Sequence, residues 1–162
     1  MTPEQAKTVA DFLLPQMELE IGTTAKVLAA VPDDRKDYTP HEVCMNAGAL
    51  AQHLAAADLW FLECVINGRT SAMPDPTEKP AAELAADYTV NAKERIETIR
   101  SLPGEHLAKD FQFFTWTVPC ITILQLMQKH SVHHRGQLSV YLRPMGAKVP
   151  AIYGGSADEP MS

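Results

Sequence analysis

Apolar residues recur at steps of three and four in four separate stretches of this chain, and prolines fence each stretch from the next. That spacing is the period of an amphipathic helix, and proline is tolerated at a helix start but not in its interior. The chain is therefore expected to be all-α: a four-helix bundle with long connections, formed as one domain over residues 1–162.

The first stretch opens at Thr2-Pro3-Glu4-Gln5, where Thr2 suits an N-cap, Pro3 the first helical position and Gln5 a capping box. Its seam is Met17, Ile21, Thr24, Leu28 and Val31. Pro15 predicts a kink within it, and Pro32-Asp33-Asp34 its end. The polar run from Arg35 to Val43, with Pro40, reads as a connection. The second helix is expected from Asn46, a good N-cap, to Asn67, with Gly68 as its stop and a seam of Leu50, His53, Ala57, Trp60 and Cys64.

A linker from Thr70 to Lys79, holding Pro74 and Pro76, leads to the third helix at Pro80. Its seam is Leu84, Tyr88, Ala92, Ile96 and Ile99, and Pro103-Gly104 closes it. From Phe111 to Val118 apolar and polar residues alternate, which predicts an extended segment with no obvious partner strand. The last helix is expected to open at Pro119 and end at Pro144 and Gly146. Its seam is Cys120, Ile123, Met127, His130, His134, Leu138 (or Gln137), Tyr141 and Met145, followed by a turn-rich tail from Lys148 to Ser162.

Charge narrows the partners. Lys plus Arg number 14 against 20 Asp plus Glu, a net −6 that argues against a surface built to neutralise nucleic-acid phosphates. With 46% hydrophobic and 21% charged residues, intrinsic disorder is not expected. No uninterrupted apolar run reaches the roughly 18 residues of a membrane span, and the opening residues lack an apolar signal region. A cytoplasmic protein without a membrane partner is the expectation. The three cysteines, Cys44, Cys64 and Cys120, contain no CxxC pair and are not a disulfide framework. Cys64 and Cys120 fall on core seams as packing residues. Cys44 precedes the second helix, where a thiol could react.

Histidine is where the chemistry gathers: six are present, and three of them fall within five positions. His130 and His134 are four apart, so they project from adjacent turns of one helix face, and that face is the apolar seam. His53 holds an equivalent position on the second helix, with Ala49, Ala56 and Ala57 leaving room around it. A buried imidazole without a partner costs about 1–3 kcal/mol, so several in one small core call for a common partner. A divalent metal is such a partner, since neutral imidazole ligates zinc, nickel, copper and iron. Three protein nitrogens would leave a position for water or substrate. The bland alternative is that each is a hydrogen-bonded packing residue.

His133 could compete with His134 as a ligand, but the seam steps 120-123-127-130-134 favour His134. His133 then reads as partly exposed or as supporting a ligand from behind. His41 and His106 lie in connections and are assigned no role. The sequence His130-Ser131-Val132-His133 is not HExxH, which excludes the zincin protease arrangement, and no Glu-x-x-His motif supports a di-iron bundle. Asp58, five residues after His53, is expected on the opposite side of its helix, in solvent.

At His130-Ser131-Val132-His133-His134-Arg135-Gly136-Gln137-Leu138 the chain resembles the DinB-like superfamily, meaning the damage-inducible bacterial proteins and not the polymerase of the same name. Leu50-Ala51-Gln52-His53-Leu54, the stretch from Pro32 to Pro40 and the tail from Val149 to Glu159 resemble it in the same order. The resemblance implies a four-helix bundle, commonly a homodimer. It also implies a divalent metal on one histidine of the second helix and two of the fourth, here His53, His130 and His134. Arg135, Gly136 and Gln137 belong to the pattern without an implied catalytic role. Arg135 could orient an anion, although a surface or dimer-interface ion pair is the preferred reading. The turn at Tyr153-Gly154-Gly155 could lie at the site opening or at a dimer interface.

Characterised members of that superfamily include metal-dependent transferases that use low-molecular-weight thiols, and a mycothiol-dependent maleylpyruvate isomerase. The resemblance therefore implies a metal-dependent thiol (S-)transferase or related detoxification enzyme, with zinc or nickel, or else manganese or iron, and a small thiol as cofactor. A metal-dependent hydrolase is the nearest variant. A stress-responsive protein with a structural or sensory metal, and a helical dimerisation module whose histidines bind nothing, are the non-enzymatic alternatives. No catalytic base is identified. A bound divalent ion would take the balance from −6 to −4 per chain and requires its histidines to stay neutral.

Overall fold

Helix α1 (Pro3–Ala29) starts at a capping box: the Gln5 backbone N–H donates to Thr2 Oγ1, and the Thr2 N–H donates to Gln5 Oε1. The helix runs unbroken through Pro15, which lies on the exposed face beside an exposed Asp11, so the carbonyl that loses its partner is open to water. A computed structural model describes residues 1–75 and 77–161. Pro76, in the expected linker, and Ser162, at the end of the expected tail, lie outside the described residues.

The other long helices are α2 (Ala47–Asn67), α3 (Ala81–Ser101) and, after a short α4 (Gly104–Ala108) and a hairpin of β1 (Asp110–Phe113) and β2 (Trp116–Pro119), α5 (Thr122–Leu142). Asn46 Oδ1 caps α2 by accepting from the Ala49 N–H, and Gly68 ends that helix in the left-handed conformation, φ 59°. The chain is all-α in class, with the two-stranded hairpin a minor addition.

Around the bundle α1 packs on α3, α3 on α2, α2 on α5, and α5 more lightly on α1. Helices α1 and α2 are thus diagonal although consecutive, which is why the connection between them is long. It earns its keep through Asp33, in a 3-10 turn (Asp33–Arg35), whose carboxylate accepts from the Ala81 N–H and caps α3 across 48 residues. The apolar members of all four seams are buried, with Leu138 rather than Gln137 on the α5 seam. By length and composition α2 would suffice to cross a membrane, but 67% of its most apolar window is buried within the bundle, where both α3 and α5 cover it.

Three boundaries differ from expectation. The extended segment has a partner, namely itself: Phe111 pairs with Val118 and Gln112 with Thr117. Pro119 is therefore the last residue of an edge strand rather than a helix start. Helix α5 begins instead at Thr122, after the Cys120 and Ile121 N–H groups have bonded to the Lys109 and Leu107 carbonyls. Pro103-Gly104 does not merely close α3 but opens α4, which packs against α1.

At Gly104 a Cβ would fall 2.4 Å from the Pro3 carbonyl oxygen, a backbone atom that cannot yield. Gly22, exposed on α1, has nothing within 4 Å of the same atom. Gly104→Ala is expected to lower unfolding stability by about 1–3 kcal/mol, and Gly22→Ala to raise it by up to about 1 kcal/mol, as read by urea denaturation.

Candidate metal centre

His53 stands two turns into α2, and His130 and His134 occupy consecutive turns of α5, the helix that packs against it. Each contributes one ring nitrogen to a group lying within 4.8 Å of one another, and all three side chains are half-buried. Nε2 of His53 lies 3.1 Å from Nε2 of His130. Ligand nitrogens on a tetrahedral ion with bonds of about 2.0–2.1 Å sit roughly 3.3 Å apart, so this pair is already near the separation a shared ion would need. Among the described residues, no carboxylate or thiol joins the group.

Protonation is disfavoured here. Burial, reinforced by the neighbouring imidazole of His130, pulls His53 below its ordinary value. Burial pulls His134 down to about 4, against a hydrogen bond to Gln137 that works the other way and with the nearby imidazoles adding to the fall. Neutral imidazole is the ligating form, so the environment holds both rings ready for a cation. The Nδ1 of His134 donates to Gln137 Oε1 at 2.8 Å, which leaves its Nε2 lone pair for the centre. The exposed Gln137 thus supports the site without lying on the apolar seam.

Behind His130 sits Asp58, and here the sequence expectation is corrected. Asp58 is fully buried, not solvated. It lies about 140° around α2 from His53, as five residues at 100° each require, but α2 is flanked by α3 on one side and α5 on the other. Asp58 Oδ2 accepts from the Tyr88 hydroxyl of α3 at 3.0 Å. Its Oδ1 lies 3.6 Å from His130 Nδ1, too long for a hydrogen bond, and among the described residues neither atom has a hydrogen-bond partner. Burial pushes the Asp58 carboxyl up. A carboxylate that accepts from the rear nitrogen of a ligating histidine fixes its ring, and Asp58 Oδ1 faces His130 Nδ1 just beyond the reach of that bond. The two orphaned atoms and the donor set together fit a divalent ion at the front.

Arg135 is corrected as well. It is 1% exposed, not a surface or interface residue. Its guanidinium pairs with Glu20 and the Tyr153 hydroxyl, donates to Thr24 Oγ1 at 3.1 Å, and lies 5.2 Å from the Tyr153 ring centre. Thr24 also shares a hydrogen bond with Ser131, 3.3 Å away. The residues that follow His130 and His134 therefore tie α5 to α1, and Tyr153 brings the tail onto the same point. The Tyr153 hydroxyl reaches Glu20 of α1 and Arg135 of α5 within one chain, while the turn itself stays exposed.

The remaining candidates fall elsewhere. His133 is exposed, its ring centre 4.8 Å from that of His134 but outside the three-nitrogen group. His41 is exposed, and His106 bonds the Val65 carbonyl through Nε2. Cys64 and Cys120 are buried, and burial raises both thiols, Cys120 to about 11; Cys44 is exposed.

Residues 9–161 match the DinB family. The chain belongs to that family. Among proteins of Bacillus subtilis strain 168, the uncharacterized protein YrdA is 25% identical over 151 residues, covering 92% of this chain and 90% of its own. The uncharacterized protein YjoA is 25% identical over 128 residues, covering 77% and 83%. The crystal structure of YjoA, a DinB-like protein, superposes with a TM-score of 0.73 over 86% of this chain and 96% of that one. A DinB-like protein of Bacillus cereus ATCC 10987 superposes at 0.75 with 23% identity, over 87% and 95%, and shares the fold. DinB membership and a three-histidine group that could hold a metal ion thus meet in one chain.

Asp58→Asn keeps the shape of the side chain but removes the charge facing His130. It is expected to weaken zinc binding about 10- to 100-fold in competitive chelator titrations, with the bundle still folded by circular dichroism.

Proposed function

We propose that this DinB-family protein is a metal-dependent thiol S-transferase that joins a low-molecular-weight thiol to an electrophile, with zinc or nickel as the working ion. The observation that carries this reading is the all-nitrogen donor set: His53, His130 and His134 gather with no carboxylate or thiol of the chain among them. Three neutral ligands leave the double charge of a divalent ion uncompensated, which favours an anionic fourth donor. A thiolate is such a donor. When bound, the ion supplies the Lewis acidity that lowers the pKa of a thiol beside it.

The thiol must come from outside. Cys64 and Cys120 are buried with raised pKa values, and no cysteine among the described residues enters the histidine group. The chain's own residues then do three things. The three imidazoles hold the ion, Asp58 and Gln137 orient His130 and His134 from behind, and Phe61, whose ring centre lies 5.3 Å from that of His130, excludes water from one side. In the transfer the thiolate sulfur forms a bond to the electrophilic carbon, the leaving group departs with the bonding electron pair, and the thiol proton passes to solvent.

The test is turnover of 1-chloro-2,4-dinitrobenzene with glutathione, bacillithiol and mycothiol, using protein loaded with zinc or nickel and protein stripped by chelator. At least one thiol is expected to give turnover that disappears on stripping and falls at least about 100-fold in His130→Ala. Rates equal to the uncatalysed reaction with every thiol and both metals would overturn the reading.

A further inference from the structure

Thr24 is the one polar member of the seam Met17, Ile21, Thr24, Leu28 and Val31, and it is fully buried. A valine would fill the same space without a polar atom to satisfy, so the hydroxyl needs a reason. Its surroundings supply one. Five polar or charged residues are buried among the described residues, and four of them gather here: Thr24, Asp58, Ser131 and Arg135. With the buried Tyr88 they bring at least one side chain from each of the helices α1, α2, α3 and α5.

The chemistry of the two ends sets the direction of the bonds between them. A guanidinium can only donate, and a carboxylate can only accept. Arg135 Nη1 donates to Thr24 Oγ1 at 3.1 Å. The Thr24 proton is then directed to Ser131 Oγ, 3.3 Å away. Ser131 keeps its own proton for Asp58, whose charged form it favours against burial. Burial pushes the Tyr88 phenol well above its ordinary range, so that hydroxyl stays a donor, at 3.0 Å from Asp58 Oδ2. A polar row therefore leads from the positive Arg135 through Thr24 and Ser131 toward the negative Asp58. Groups lined up between opposite charges polarise one another in a dry interior.

The far end of the row is the carboxylate behind the metal centre. Tyr88 holds one Asp58 oxygen, and the other stands 3.6 Å from His130 Nδ1. The terminal torsion of aspartate is a broad one, so a carboxylate gripped at one oxygen takes its final angle from whatever else lies beside it. Ser131 is that neighbour, and Thr24 decides which way the Ser131 hydroxyl turns.

We propose that Thr24 is a positioning residue of the metal centre, which carries the Arg135 anchor through Ser131 to Asp58 and so aims that carboxylate at His130. The proposal rests on the three-histidine reading of the centre and is independent of the reaction performed there.

Thr24→Val keeps the shape and removes the hydroxyl. Arg135 retains Glu20, both its carboxylate and its backbone carbonyl 3.3 Å from Nη1, so the bundle is expected to stay folded by circular dichroism. Thr24→Ser keeps the hydroxyl and gives up one methyl group. Zinc affinity is measured by competitive chelator titration in the parent, in both variants, and in Asp58→Asn with and without Thr24→Val. Thr24→Val is expected to weaken zinc binding about 3- to 10-fold, less than Asp58→Asn because it acts further from the ligand. Thr24→Ser is expected to stay within about 2-fold of the parent, and Thr24→Val to add less than about 2-fold once Asp58 is already asparagine. Parent affinity in Thr24→Val, an equal loss in Thr24→Ser, or an undiminished valine effect beside Asp58→Asn overturns the proposal. A parent that binds no zinc removes the three-histidine centre and this proposal with it. The expected zinc losses in a protein inactive with every thiol would sink the transferase reading and leave the role of Thr24 standing.

Discussion

Imidazole nitrogens that face one another across a helix interface cannot all satisfy each other. The pair His53 and His130 meet nitrogen to nitrogen at 3.1 Å, and His134 completes the group from the next turn. One N–H···N bond can satisfy the close pair, but three converging ring nitrogens cannot all be paired with one another in this way, whereas a cation held among them accepts every lone pair at once. Protonation is the alternative remedy, and burial works against it at His53 and His134. The packing of α2 against α5 thus contains a position that could hold a metal ion, and neighbouring contacts hold that position still.

The holding is done from behind. Helix α5 presents His130 and His134 to α2, and the very next residues, Ser131 and Arg135, turn about 100° toward α1. There they meet Thr24 and Glu20. A buried guanidinium is costly without a partner, and Arg135 has two charged or polar side chains and a hydroxyl around it, one of them Tyr153 from the tail. A slide of α5 by one residue would strand that charge, so the network that satisfies Arg135 also fixes the register of both histidines. On the remaining side Asp58, itself anchored by Tyr88, faces His130.

Much of this was legible in the sequence. The seams through Met17, Leu50, Leu84 and Ile123 marked the long helices because each buries one apolar stripe at a period of 3.6, and the histidines stood out as polar residues riding on those stripes. Asp58 and Arg135 were misplaced for one shared reason. A period assigns charged residues to the wet side, but a helix flanked by neighbours on two sides has little wet side, and a charge can stay inside when Tyr88 or Glu20 meets it there. The hairpin was legible only in half, as alternation, because its pairing turns on Phe114 holding a conformation that its residue type gives no reason to expect. The cap of α3 by Asp33 depends on tertiary proximity and leaves no local signal.

On the proposed reading, the three histidines together hold one divalent ion. Its most direct measurement is the metal content of untagged protein, grown in zinc- or nickel-supplemented medium and purified without a metal column, beside His53→Ala prepared in parallel. About one equivalent per chain in the parent and a clear loss in the variant is the predicted result. Less than about a tenth of an equivalent in the parent, or full occupancy in the variant, would contradict it.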